Sequence, residues 1–265
     1  MRWEPKESVA IVTGASSGIG RCLCRRLLRS GASVVANARR EERLLELQDS
    51  ADNASADNAE QRFFPVVGDV TDPTVRQEII RVAGSIRSGE LDLLVNNAGI
   101  GALGPFADAE PSRLRRIMEV NFFAPVELTR LALDLLRRGR APVICNLCSV
   151  LGHRAVPDKS EYCASKFAMH GFSDSLRAEL APTGIQVTLV SPSTTESEFF
   201  DSLIDTDAGQ TSKSIGSWPA DRVAKATMSA IRARRSEVIC SLGGKALVYA
   251  DRLSPPIVNA VLKKS

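Results

Sequence analysis

Four apolar residues, Val9-Ala10-Ile11-Val12, run into Thr13-Gly14 and then through a stretch with glycines at 14, 18 and 20. A helix-like apolar pattern follows from Ile19 to Leu28 and stops near Gly31. A short run without polar alternation reads as a strand buried on both faces, and the pattern after it as a helix. This order confines the fold, because parallel strands buried on both faces need helical crossovers to cover them. The glycines let the chain turn tightly and bring its backbone close to a ligand, while the helix start offers free N–H groups to a pyrophosphate. A Gly-rich turn alone is also found in ordinary loops. The strand before it and the helix after it favour a dinucleotide site.

The same alternation recurs along the chain. Strands are predicted at Ser33–Ala38, Phe63–Val67, Leu91–Val95, Pro142–Cys148 and Gln186–Val190, with a short last one at Glu237–Cys240. Helices are predicted at Glu41–Gln48, after Asp72-Pro73, at Ser112–Arg138, Ser160–Pro182 and Pro219–Ala233. Asp49 to Glu60 is polar and reads as a surface loop or frayed helix end. The pattern predicts an α/β fold, a doubly wound parallel sheet of three layers in one domain, the Rossmann type. With 265 residues, 44% of them hydrophobic, the chain can bury the core this requires.

A net charge of +3 over 34 basic and 31 acidic residues is too balanced for a nucleic-acid footprint. The basic clusters Arg137-Arg138-Gly139-Arg140 and Arg232-Ala233-Arg234-Arg235 fall near predicted helix ends, where cations complement the helix dipole. Met1 to Ser8 lacks a secretory core, and no run is apolar for the eighteen or so residues that span a bilayer, so a cytoplasmic protein is expected. Six cysteines, at 22, 24, 145, 148, 163 and 240, are expected to be reduced. Cys145 and Cys148 would face opposite sides of a strand, and no metal site is expected from them.

Chemistry concentrates in ICNLCSVLGHRAVPDKSEYCASKFAMHGF. Ser149 closes an apolar run, and Tyr162 and Lys166 stand four apart at the start of a helix, where they share a face. A phenol titrates near pH 10, and a fixed cation beside it lowers that value, making Tyr162 a candidate proton donor and acceptor. A Tyr–Lys pair at this spacing is by itself more often a solvated helix face than a site. Its company is IVTGASSGIG at the N-terminus, LLVNNAG in the middle, and Asn121 inside MEVNFFAP.

Thr13, Gly14, Gly18, Gly20, Asn96, Asn97, Ala98, Gly99, Asn121, Ser149, Tyr162 and Lys166, in this order and at these spacings, resemble the short-chain dehydrogenase/reductase family over Ser8 to Cys240. The resemblance implies hydride transfer between a nicotinamide cofactor and a carbonyl or secondary alcohol. In the reducing direction Tyr162 would protonate the oxygen that Ser149 hydrogen-bonds. Lys166 would hold the nicotinamide ribose and lower the Tyr162 pKa, and Asn121 would bend its helix and anchor a water behind the lysine. Cofactor contacts are implied for Gly14, Ser16, Ser17, Gly18, Ile19, Gly20, Asn97, Ala98, Gly99, Tyr162, Lys166, Pro192 and Thr195. Asp69 and Val70 would lie beside the adenine, although Asp69 or Asp72 also suits a helix cap, Asp72 before Pro73 being the better one.

At the end of the second strand, Ala38 stands where NAD-preferring relatives carry an acid, and Arg39-Arg40 follow. Within the family this resembles the NADP(H)-preferring pattern, since the Arg39 guanidinium would pair with a 2′-phosphate that a carboxylate would repel. The arginines would otherwise solvate the start of the next helix. Two departures stand out: Cys148 replaces a common second serine, and Ser193 replaces a usual glycine, which puts the local turn in doubt.

Residues 193–217 lose periodicity and carry Phe199, Phe200, Leu203 and Ile204, suggesting a lid over an apolar substrate within a catalytic domain of residues 1–242. Residues 243–265 form an interrupted apolar surface that would cover the substrate mouth, pack in a subunit interface or lie on a membrane, packing on protein being favoured. A homodimer or homotetramer is expected from the family. The competing functions are a dinucleotide sensor without turnover and a structural module at a membrane or in a complex. The complete Asn121, Ser149, Tyr162 and Lys166 set argues for the enzyme.

Overall fold

A computed structural model of the chain describes residues 2–52, 62–196, 198–199, 203–206 and 217–262. Seven parallel strands form the main sheet, in the order β3 (Phe63–Val67), β2 (Ser33–Ala38), β1 (Val9–Thr13), β4 (Leu93–Asn96), β5 (Val143–Leu147), β6 (Gln186–Ser191) and β9 (Glu237–Ile239). The order reverses between β1 and β4, and a crevice opens there beyond the carboxyl ends of the strands. Successive residues of a strand serve opposite layers. Ala10, Val12, Val34 and Ala36 pack with Leu23 and Leu27 of α1 (Gly18–Arg29), Leu44 of α2 (Glu41–Asp52) and Ile231 of α7 (Ala220–Arg232). Val9, Ile11 and Val35 pack with Ile79 of α3 (Pro73–Gly84), Leu128 of α5 (Ala124–Arg138) and Leu176 of α6 (Ser160–Leu180). These are the expected three layers.

Boundaries shift where side chains intervene. Asp92, 1% exposed, accepts from the backbone N–H of Val9 at 2.8 Å and of Arg140 at 2.6 Å, so β4 begins at Leu93 rather than Leu91. The predicted helix at 112–138 is three pieces: α4 (Pro111–Met118), a π-turn at Glu119–Phe123 that holds Asn121, and α5. Asp72 caps α3 by accepting from the Thr74 N–H at 2.8 Å. Helix α2 runs on to Asp52, and the rest of the predicted polar loop lies outside the described residues.

The root of the 193–217 segment is held by two short parallel strands, β7 (Thr195–Glu196) and β8 (Trp218–Pro219). Much of the expected lid, Phe200 included, lies outside the described residues. Ser193 is not among the non-glycine residues at positive φ, so its turn needs no glycine and the doubt raised by the replacement is removed. The tail forms α8 (Leu242–Leu253) and α9 (Pro255–Leu262). Among the described residues no helix is long and apolar enough to cross a membrane.

Candidate active site

Beyond the ends of β1, β4 and β5 lies a cleft of about 550 Å³. All the residues singled out above for cofactor or catalysis line it except Gly20 and Asn121. Gly20 is instead a packing position. A Cβ there would come 2.3 Å from the Gly14 carbonyl oxygen and 2.5 Å from Asn97 Nδ2. Asn97 is also committed to the scaffold: its Nδ2 donates to the Thr13 carbonyl at 2.9 Å, and its backbone N–H donates to Thr13 Oγ1 at 3.0 Å. The two strand ends flanking the crevice are thereby stitched together. Gly14 and Gly18 adopt φ of 67° and 53°, which glycine reaches without strain.

One end of the cleft fits a dinucleotide. The first turn of α1 has no acidic residue and the Ser17 side chain makes no capping bond, so its N–H groups are open to an anion. Arg40 reaches back to the Gly-rich turn, donating from Nε and Nη2 to Ser16 Oγ at 3.3 and 3.1 Å. Arg39 is more loosely held: its side chain is 68% exposed and its Nη1 lies 3.9 Å from Asp69 Oδ2. Asp69 itself closes a local turn by accepting from the Thr71 N–H at 2.9 Å.

At the other end the Tyr162 phenol and the Ser149 hydroxyl hydrogen-bond each other, and Ser149 Oγ accepts from the Leu151 N–H at 3.1 Å. Lys166 is buried, with Nζ donating to the Leu147 carbonyl at 3.0 Å and lying 5.6 Å from the centre of the Tyr162 ring. Asn121 hydrogen-bonds Ile100 in both directions at 2.9 Å and donates to Ser165 Oγ at 3.0 Å, so the π-turn, the loop after β4 and α6 are locked together. Gly99 lies between these groups: a Cβ there would stand 3.3 Å from Asn121 Oδ1 and 3.7 Å from Lys166 Nζ.

The electrostatics differ from the expectation drawn from the Tyr–Lys spacing. Burial pushes the Tyr162 phenol above its ordinary range, nearby Cys148 adds to this, and the Ser149 hydrogen bond only partly offsets it. Burial likewise lowers Lys166, whose ammonium is turned to a carbonyl. In the protein alone, desolvation decides the Tyr162 shift.

Several parts of the site carried no sequence signal. Arg113 and Glu161 form an ion pair of 2.8 Å with both side chains 4% exposed, which pins the start of α6 to α4 one residue before Tyr162. Leu151 and Val156, equally unsignalled, line the outer cleft together with Phe199 and Leu203 of the expected lid and Leu247 of the tail, the Phe199 ring lying 5.8 Å from that of Tyr162. Helix α8 is more than surface cover: Val248 packs on Val150 and Ile239, and Leu247 and Gly244 reach the cleft. Beneath it the side chains of His153, His170 and Glu237 approach within 4.8 Å, but Arg252 Nη2 lies 3.5 Å from both His153 Nδ1 and Glu237 Oε1. Burial, His170 and Arg252 lower the His153 pKa to about 4, so His153 is neutral at neutral pH and serves with Arg252 to anchor α8.

Residues 8–208 match the family model described as short chain dehydrogenase. The chain belongs to the short-chain dehydrogenase family. It is 31% identical to dehydrogenase/reductase SDR family member 7B of Xenopus laevis, over 96% of this chain and 80% of that protein. It is also 31% identical to the uncharacterized oxidoreductase YxnA of Bacillus subtilis, over 98% of this chain and 72% of that one. A solved short chain dehydrogenase from Burkholderia cenocepacia in complex with NADP is 27% identical, with a TM-score of 0.78 over 98% of this chain and 99% of that one. A short chain dehydrogenase/reductase from Burkholderia phymatum in complex with NAD shares the fold, with a TM-score of 0.84 at 23% identity over 96% of each chain. This short-chain dehydrogenase is thus an oxidoreductase of the CH–OH/C=O class that uses a nicotinamide dinucleotide.

Proposed function

We propose that the enzyme prefers NADP(H) and reduces an apolar carbonyl compound, with Tyr162 as the general acid. The observation that carries the reading is the Ser149–Tyr162 hydrogen bond at one end of a cleft whose other end presents Arg40 and Ser16. When bound, the dinucleotide supplies the hydride. Tyr162, kept protonated by burial, delivers its proton to the substrate oxygen, and Ser149 orients that oxygen. Lys166 would hold the nicotinamide ribose and electrostatically support the phenolate left behind. Asn121 fixes the loop and helix that position both, and anchors the proton-relay water. The solved relative with NADP, the vacant acidic position at Ala38 and the Arg40–Ser16 pair support the coenzyme preference.

The catalytic domain is residues 1–242 and its lid residues 193–217; the tail completes the substrate mouth through Leu247. We further infer a homo-oligomer, supported by Leu114, Phe123, Leu131 and Phe167, which are 40–49% exposed along α4, the π-turn, α5 and α6. Mass in solution checks it. Tyr162→Phe tests the mechanism, because it removes only the hydroxyl. Turnover of a carbonyl substrate should fall at least about a hundredfold with NADPH binding retained. Near-normal turnover in that variant sinks the assignment.

A further inference from the structure

The cofactor cleft already contains an anion supplied by the chain itself. Glu198, just beyond β7, lines the same cleft as the Gly-rich turn. Its Oε2 accepts from Arg40 Nη1 at 2.8 Å and its Oε1 from Arg43 Nη1 at 3.4 Å. Arg40 is at the same time bonded to Ser16 Oγ through Nε and Nη2. A guanidinium fixed on two sides beside a hydroxyl is a seat for an oxyanion, and here a carboxylate fills it.

We propose that Glu198 is a specificity-determining residue: its carboxylate occupies the seat of the 2′-phosphate of NADP(H) and is displaced when that phosphate binds. The proposal rests on the NADP(H) reading above. Arg40 and Arg43 hold the Glu198 carboxyl below the usual carboxylate range, so it is charged at neutral pH and repels a phosphate brought to the same arginine. Arg39 offers no equivalent seat, since its side chain is largely exposed and only loosely paired. NADH presents a ribose hydroxyl in place of the phosphate and leaves the Glu198 pair intact. Glu198 therefore restrains the preference for NADPH, and the binding-competent fraction of the seat is set by how often its carboxylate lets go.

The test is isothermal titration of the full chain as wild type, Glu198→Gln, Arg40→Ala and the double variant, with NADPH, NADH, adenosine 2′-monophosphate and adenosine 5′-monophosphate. Glu198→Gln should tighten NADPH and the 2′-monophosphate about fivefold, the scale of a half-exposed ion pair, and leave NADH and the 5′-monophosphate unchanged. In the Arg40→Ala background the same substitution should change nothing. NADPH affinity that is unchanged or weaker in Glu198→Gln, or equal tightening of NADH, overturns the proposal. The wild-type arm judges the parent reading separately: a wild type that binds NADH as tightly as NADPH sinks that reading, whereas this proposal is judged by the change between wild type and Glu198→Gln.

Discussion

At the scale of single residues, burial has the larger effect on the Tyr162 pKa. The phenol titrates above its ordinary range, so the neutral form persists across neutral pH and the phenolate forms only in strongly alkaline solution. Carbonyl reduction, which needs the proton, should be flat through neutrality and decline only at high pH. Alcohol oxidation, which needs the phenolate as base, should still be rising at pH 9. Initial rates in both directions across pH 6–10 check this, and an oxidation rate that levels off near neutrality would count against it. The adjacent arginines also separate at this scale. Arg40→Ala should weaken NADPH about tenfold relative to NADH, because it removes charge-assisted bonds from a prearranged guanidinium. Arg39→Ala should cost several times less, since that side chain is screened by solvent. Equal losses in paired titrations would show that the two share the phosphate.

At the scale of elements, α6 carries Tyr162 and Lys166 and depends on a pair that neither residue touches. Arg113 Nη2 lies 2.8 Å from Glu161 Oε1 in a nearly dry contact between α4 and α6. Removing one partner of a buried pair leaves the other charge unpaired and costs about 3–5 kcal/mol. Arg113→Ala should therefore lower unfolding stability by about 3 kcal/mol in chemical denaturation at an unchanged slope. A loss under about 1 kcal/mol would place the pair with ordinary surface bridges. Periodicity located α4 and α6 but did not flag this contact, because an arginine in an amphipathic helix reads as solvent-facing until the facing helix supplies a carboxylate.

At the scale of the whole molecule, α8 joins the sheet end, the loop after Ser149 and the cleft. Val248 closes a small core with Val150 and Ile239, and Arg154 pairs with Asp251 at 2.8 Å. Ending the chain at Ser241 should raise the substrate KM at least about threefold while the NADPH dissociation constant stays unchanged, because the dinucleotide end of the cleft is built by β1, α1 and β2. An unchanged KM in steady-state kinetics would return the tail to a surface role. The sequence alone determined the alternating strands and helices, the Gly-rich turn, the shared helix face of Tyr162 and Lys166 and the place of Ser149, since apolar period, glycine freedom and an i,i+4 spacing are local properties of the chain. Only the tertiary structure decided that burial raises the Tyr162 pKa, that Arg40 rather than Arg39 is fixed toward the cofactor cleft, and that Glu198, 158 residues away in sequence, meets it there. Desolvation and long-range charge pairing depend on the volume the assembled layers enclose, and no stretch of sequence contains that volume.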